Sequence, residues 1–382
     1  MICIRSGCKV YKIITTLAVC GEFPFSSLEM FGRWQDYAKI IVKSTKSQVV
    51  RNTHTETNLK VARLLTVSGK RNNRTIRLSR FSAPVLDWFG LKNYYETNFN
   101  DNFSSGKTHI NRRQRVAESF VAFMRAGIES RPFKLPELNY RVIEPVIKSP
   151  SFFVAKEIKR VWGNDQKKIK YSRFVGLYCS ENEGYVVYNS QSSVMKWMGR
   201  DEFRSKENIE RVVRLNSAIQ EIDTAILLGK DYNIASSTLK NLAANRRKEF
   251  RFDGVFEHIL FIPLSDCGIR QLAITQCAGW REKILDALFE SEDRSYNRGA
   301  FEYDAKVNGV YVLSFLDGDI VRLAKFRNET LDDDDRKFEV VCYPFQTDFL
   351  CDYLGKDVKL TEIELDAVER ALEVSYRDKY EE

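Results

Sequence analysis

Three residues in the back half of the chain are of the types that a metal-dependent phosphodiesterase requires. Asp253 lies in "RFDGVF", and Asp304 and Lys306 form an Asp-x-Lys in "EYDAK". One carboxylate on a strand and an Asp-x-Lys on its neighbour can hold Mg²⁺ and orient an attacking water, as in nucleases of the restriction-endonuclease type. Asp253 and Asp304 are 51 positions apart, so the two strands would have to lie side by side. The alternative is that Asp253 and Asp304 are strand-end residues satisfied by turns. Asp317 and Asp319 in "FLDGDIVRL" make a second acidic pair, but Asp-Gly-Asp at a strand end reads as a turn. "LDDDDRK" (331–337) reads as an exposed turn between strands rather than a metal site.

Other chemistries lack their residues. The three histidines, His54, His109 and His258, form no H-x-H or H-E-x-x-H, which argues against a relaxase built on a paired-histidine metal and a tyrosine. The eight cysteines are scattered without a C-x-x-C, so free thiols in a reducing compartment are expected instead of a structural zinc. No Walker A sequence, no G-x-G-x-x-G after a strand and no G-x-S-x-G occurs. No metal or cofactor is expected, except Mg²⁺ if the nuclease reading holds. No apolar run approaches the roughly 20 residues that cross a bilayer. The apolar "IITTLAVC" near the start reads as a core helix, because it is short, preceded by charges and followed by no clear cleavage pattern. A cytoplasmic protein without a membrane partner is expected.

Charge is distributed unevenly. The chain of 382 residues carries a net +8, yet residues 1–150 hold 25 Lys and Arg against 11 Asp and Glu, a net +14, and the remainder is net −6. A basic front on a mildly acidic back points to one polyanion-binding end.

The elements that would position these charges follow from spacing. Ile13, Ile14, Leu17 and Ala18 predict a first helix over 10–20, and Ser26 can cap a short second one. A third helix is expected from about Trp34 to about Val50, with Lys39, Lys43 and Lys46 on one stripe. "LLTVSGKRNNRTIRLSR" (64–80) predicts a hairpin with Lys70, Arg71 and Arg74 at its tip, Ile76 and Leu78 facing inward, and Arg77 facing out. Lysine and arginine side chains on a groove-entering helix and on an adjacent hairpin tip would neutralise phosphates and release counterions. A short helix is expected within 83–99, "NDNFSSG" (100–106) as a hinge, and a strong helix from Thr108. Arg112, Arg113 and Arg115 crowd the start of that helix, where cations oppose the dipole. A phosphate partner, a carboxylate partner and plain solvation all remain open for them. "RPFKLPEL" reads as an extended linker.

In the back half, strands are predicted at 172–180 and 184–189, joined by "ENEG", and at 252–264, 269–277 and 338–345. Helices are predicted over 201–228 and 280–289, and a last one starts at Thr361 with Glu364 completing a capping box. Another hairpin turns through Val307, Asn308 and Gly309.

The front segment and "THINRRQRVAESFVAFMRAGI" resemble the replication-relaxation family of bacterial plasmids and integrative conjugative elements. In that family a winged helix precedes a helix of pattern H-x₇-E, which His109 to Glu118 approximates with one extra residue. The resemblance covers the front third, and in the back half it is one of layout more than motif. It implies an α+β protein: a winged helix-turn-helix over 8–98, a helix and Pro-containing linker over 99–150, and a mixed α/β domain over 151–382, sometimes compared with restriction endonucleases. It further implies a mobile-element protein that binds its own DNA in replication, relaxation, transfer or their control. The expected partner is double-stranded DNA, with a homodimer or mobile-element proteins as further partners. Lys39, Lys43, Lys46, Lys70, Arg71, Arg74, Arg77, Arg112 and Arg113 are the expected DNA contacts. The competing readings are a Mg²⁺-dependent nuclease or nickase centred on Asp253, Asp304 and Lys306, and a non-catalytic protein whose basic front meets an acidic partner.

Overall fold

A computed structural model of the chain describes residues 1–70, 73–99, 106–130, 147, 149–161, 172–195, 199–243, 254–296, 301–332 and 336–374. Arg71, Asp253, the hinge at 100–105, the stretch 131–146 and residues 333–335 of the acidic run lie outside them.

The chain begins with β1 (Ile2–Ile4), α1 (Lys9–Cys20) and β2 (Glu22–Pro24). Residues Ile13, Ile14, Leu17 and Ala18 of α1 are all buried, as their spacing predicts. A 3₁₀ segment (Phe25–Phe31) and α2 (Trp34–Ser44) follow. The third helix therefore stops six residues before the expected end. Val49 and Val50 are β-branched and belong to β3 (Gln48–Asn52), where Val50 pairs in parallel with Ile2. β4 (Asn58–Val61) completes the small sheet β1-β3-β4. The expected hairpin forms next, as β5 (Leu65–Ser68) and β6 (Thr75–Leu78), and β2 pairs with its return strand in the antiparallel order β2-β6-β5.

That second sheet is fastened from one side by charge. Glu22 and Arg77 stand opposite each other on β2 and β6. The Glu22 side chain is wholly inaccessible; one oxygen accepts from Arg77 Nε at 2.9 Å and the other from Arg113 Nε at 2.6 Å. Arg113 comes from α5 (Lys107–Arg125), which follows the short helices α3 (Ala83–Asp87) and α4 (Lys92–Phe99) and packs across α1 and β2. The opposite side of α5 meets the back half, where Phe123 stacks on Phe152 with ring centroids 4.3 Å apart.

The back half is built on two sheets. The first runs β12-β11-β10-β9-β8-β7, from β7 (Glu129–Ser130), β8 (Ser151–Val154), β9 (Gly176–Cys179), β10 (Gly184–Gln191), β11 (Thr224–Gly229) and β12 (His258–Pro263). Helices α6 (Ala155–Val161), α7 (Gly199–Asn216) and α8 (Tyr232–Ala243) alternate with them. The helix expected over 201–228 ends at Asn216, and Thr224–Gly229 becomes a central strand whose six residues are all buried. A strand covered on both faces shows no alternation, so its pattern resembles that of a buried helix.

Residues 269–277, expected as a strand, lie largely in α9 (Asp266–Ile274), and α10 (Trp280–Leu288) follows as expected. The spacing of Ile269, Leu272 and Ala273 suits a helix as well, and the Ser265 hydroxyl caps it by accepting from the Gly268 N–H. The second sheet runs β13-β14-β15-β16, from β13 (Ala305–Val307), β14 (Val310–Ser314), β15 (Lys337–Cys342) and β16 (Val358–Glu362). β14, β15 and β16 are parallel, with α11 (Ile320–Asp332) and α12 (Thr347–Leu354) at the crossovers. Thr361 is the fourth residue of β16, not a helix cap; the last helix, α13 (Leu365–Ala371), starts after Glu364. The chain is α+β with mixed sheets, and no helix among the described residues is long and apolar enough to cross a membrane.

Removing one member of a buried ion pair strands the charges of the others, a loss of about 3–5 kcal/mol. Glu22→Gln is expected to lower the stability measured by urea denaturation by that order. Glu56→Gln, which breaks the exposed Arg51–Glu56 pair, is expected to leave the midpoint where it is.

Candidate nucleic-acid interface

α2 buries Tyr37, Ile41 and Ser44 and presents its other side to solvent. That outer side carries Trp34, 43% exposed, with Lys39, Val42 and Lys43, and Lys46 just beyond the helix end. The one acidic residue of α2, Asp36, is held by the Lys9 ammonium at 2.8 Å, and that hydrogen bond keeps its carboxyl below the usual range. Lys39, Lys43 and Lys46 make no ion pair among the described residues, so their charge is unspent.

The β5–β6 hairpin stands beside this helix. Its turn depends on Gly69, whose φ of +88° favours glycine and whose missing Cβ would lie 2.3 Å from the Asn73 carbonyl oxygen. Past it, Lys70, Asn73 and Arg74 are exposed. The Arg74 guanidinium lies 3.9 Å from the Phe25 ring centroid, and Phe25 meets Trp34 edge-on at 6.1 Å. Arginine, phenylalanine and tryptophan thus join the base of the hairpin tip to the first turn of α2.

Of the expected contacts, Lys39, Lys43, Lys46, Lys70 and Arg74 are exposed. Arg77, Arg112 and Arg113 are instead half-buried and have partners within the fold. Arg77 does not face out: it and Arg113 are committed to the Glu22 carboxylate. Arg112 donates to the Ser172 carbonyl at 3.3 Å, and burial, with the charge of Arg173, lowers its pKa. The crowding at the start of α5 is thus relieved in part by a carboxylate, for Arg113, from a strand 91 positions away.

Asp304, Asp317 and Asp319 of the back half meet basic partners. Asp304 is buried; one oxygen accepts from Arg322 Nη2 at 2.5 Å and the other from the Ser314 N–H at 2.8 Å. Lys306 is exposed, its ammonium 4.7 Å from the Tyr311 ring centroid. The Asp304 carboxylate is therefore engaged by Arg322 and Ser314, and no group of three or more His, Cys, Asp or Glu among the described residues is arranged for a metal. Asp317 and Asp319 do occupy a turn: Gly318 has φ +74° and its carbonyl accepts from the Phe261 N–H of β12.

Sequence reasoning missed what this turn faces. His258, at the start of β12, places Nδ1 2.6 Å from an Asp319 oxygen, while the other oxygen caps α11 at the Val321 N–H. Burial works against the charged imidazole, but the hydrogen bond and charge of Asp319 outweigh it and raise the His258 pKa. Asp317, buried beside Asp319, is pushed up, whereas His258 and Arg322 hold Asp319 down against its burial. His258, Asp317 and Arg322 line a cavity of about 170 Å³ together with Glu183, Trp280 and Arg281. Nothing local in the sequence marked His258, because its partner is 61 positions away.

A raised imidazole pKa contributes stability that is complete below the ordinary value of 6.5 and is lost as pH rises through the folded-state value. His258→Asn removes that contribution. The gap in urea stability between the two proteins is expected to be wider at about pH 6 than at about pH 9. A gap that grows with pH would contradict a charged pair.

Matched against protein-family models, curated proteins and solved structures, the chain finds no counterpart, and the interface rests on its own geometry.

Proposed function

We propose that the front unit binds duplex DNA, with α2 entering the major groove and the β5–β6 hairpin lying on the adjoining backbone. The observation that carries this is the Arg74–Phe25–Trp34 contact, which sets the hairpin beside a helix face whose lysines make no ion pair among the described residues. The order of elements supports it: a helix, a strand, a short 3₁₀ segment, a second helix, and a hairpin whose return strand pairs with the first strand. That order supports a winged-helix reading, in which the β3–β4 hairpin would be inserted before the wing. The sorting of charge supports it too. Asp36, the acid on α2 itself, is already paired with Lys9, which leaves Lys39, Lys43 and Lys46 facing outward. A role in the replication, relaxation or transfer of a mobile element's DNA belongs to the same proposal and rests on the family resemblance. The nuclease alternative draws no support from Asp304 or Lys306.

Each phosphate neutralised contributes about 0.9 to the slope of log K against log salt. Exchanging Lys39, Lys43 and Lys46 for alanine is expected to flatten that slope by about two to three units, read by fluorescence anisotropy on a duplex. Adding Lys70→Ala and Arg74→Ala is expected to remove about one to two more. An unchanged slope in the triple variant would remove α2 from the interface.

A further inference from the structure

A second cavity, about 200 Å³, opens where the end of α1, the end of α4, the first half of α5 and the start of α6 meet. Its composition is unusual for the interior. Four of its ten lining residues are cations, Arg112, Arg113, Lys156 and Lys159, and none is an acid. The other walls are apolar or nearly so, chiefly Val19, Phe99, Val116 and Val154.

Among the described residues, little answers the charges of Arg112, Lys156 and Lys159. Arg113 shares Glu22 with Arg77, so one carboxylate serves two guanidinium groups. Arg112 has, among the described residues, the Ser172 carbonyl alone, and Lys156 has the Asn98 carbonyl and the face of Phe99. Lys159 makes no hydrogen bond or ion pair among the described residues; its ammonium lies 5.9 Å from the Phe174 ring centroid. The nearby carboxylate of Glu202 is occupied by the Arg173 N–H at 2.7 Å and the Tyr188 hydroxyl at 2.9 Å, and burial pushes it up to about 7. Burial, with Arg112 adding to it, drives Lys159 down to about 7, and burial with Arg113 drives Lys156 down to about 8. Partly buried cations left without a counter-charge are costly, and proteins keep them mainly where something else supplies the charge.

We propose that this cavity binds a small amphipathic anion, its carboxylate or phosphate between Lys159 and Arg112 and its apolar body against Val19, Phe99 and Val154. A cavity of about 150 Å³ takes one benzene ring, so the body is about one aromatic ring or a chain of about six to eight carbons. The recess and its apolar walls favour a small molecule over a nucleic-acid backbone, which needs an open surface. This site is separate from the α2 and hairpin surface, and its test needs no DNA.

Titration calorimetry on the full chain with octanoate, octyl phosphate, octanol and inorganic phosphate separates the contributions. Octanoate or octyl phosphate, whichever carries the fitting head group, is expected to bind at least tenfold more tightly than octanol or inorganic phosphate. Lys159→Met keeps the stem and removes the charge. It is expected to raise the melting temperature of the unliganded protein and to weaken the anion at least tenfold. Equal binding of octanol would overturn the role of the cations, and equal binding of inorganic phosphate would overturn the apolar subsite. Absence of binding by all four, or full affinity in Lys159→Met, would overturn the site. Displacement of octanoate by duplex DNA would also overturn it, by assigning these cations to the DNA surface.

Discussion

The carboxylate of Glu22 is the point on which the front half depends. It is completely buried, and a lone carboxylate in that position would be strongly unfavourable. Two guanidinium groups make it tolerable, and each brings an element with it: Arg77 carries the return strand of the hairpin, and Arg113 carries α5. Sheet register, hairpin position and helix docking are therefore set together. A second polar junction lies one turn further along α5. There Glu118 accepts from Ser27 at 2.7 Å, from Gln191 at 2.7 Å and more weakly from Asn189 at 3.5 Å, which links the 3₁₀ segment to β10. Burial raises the Glu118 pKa, and these three donors oppose the rise. The glutamate that stood out in the His109-to-Glu118 spacing is thus a joint between front and back.

These junctions divide the basic residues by what they can still do. A cation that answers a buried acid spends its charge inside the fold, where it fixes geometry. Lys39, Lys43, Lys46 and Lys70 lie on the surface with charge unspent. Total charge, which counts both kinds alike, overstates how much of the front is offered to a partner.

What was legible in the sequence was local. The 3.6-residue period revealed α1 and the lysine stripe of α2. Turn chemistry revealed the β5–β6 hairpin, and also β13–β14, where Asn308 at φ 51° and Gly309 at φ 82° form its two-residue loop. What failed was non-local. The end of α2 is decided by the pairing of Val50 with Ile2, β11 by cover on both faces, and the fates of Arg77 and Arg113 by a glutamate 55 and 91 positions away. His258 and Asp319 were invisible as a pair for the same reason. Spacing can show that a residue faces away from its own element, but not what another element brings to meet it.

One apolar core runs from Ile13 of α1 through Phe120 and Phe123 of α5 to Phe152, Tyr178 and Leu260 of the back half. This bears on how such a protein can change over generations. A front unit joined by a loose tether can be exchanged for another by recombination, because nothing is exposed at the cut. Here a crossover before α5 would uncover the inner sides of α1 and β2, take Arg113 from Glu22 and take Ser27 from Glu118. The basic front and the α/β back are therefore inherited as one block, and new specificity is more readily reached by point changes on the outer face of α2 and the hairpin tip.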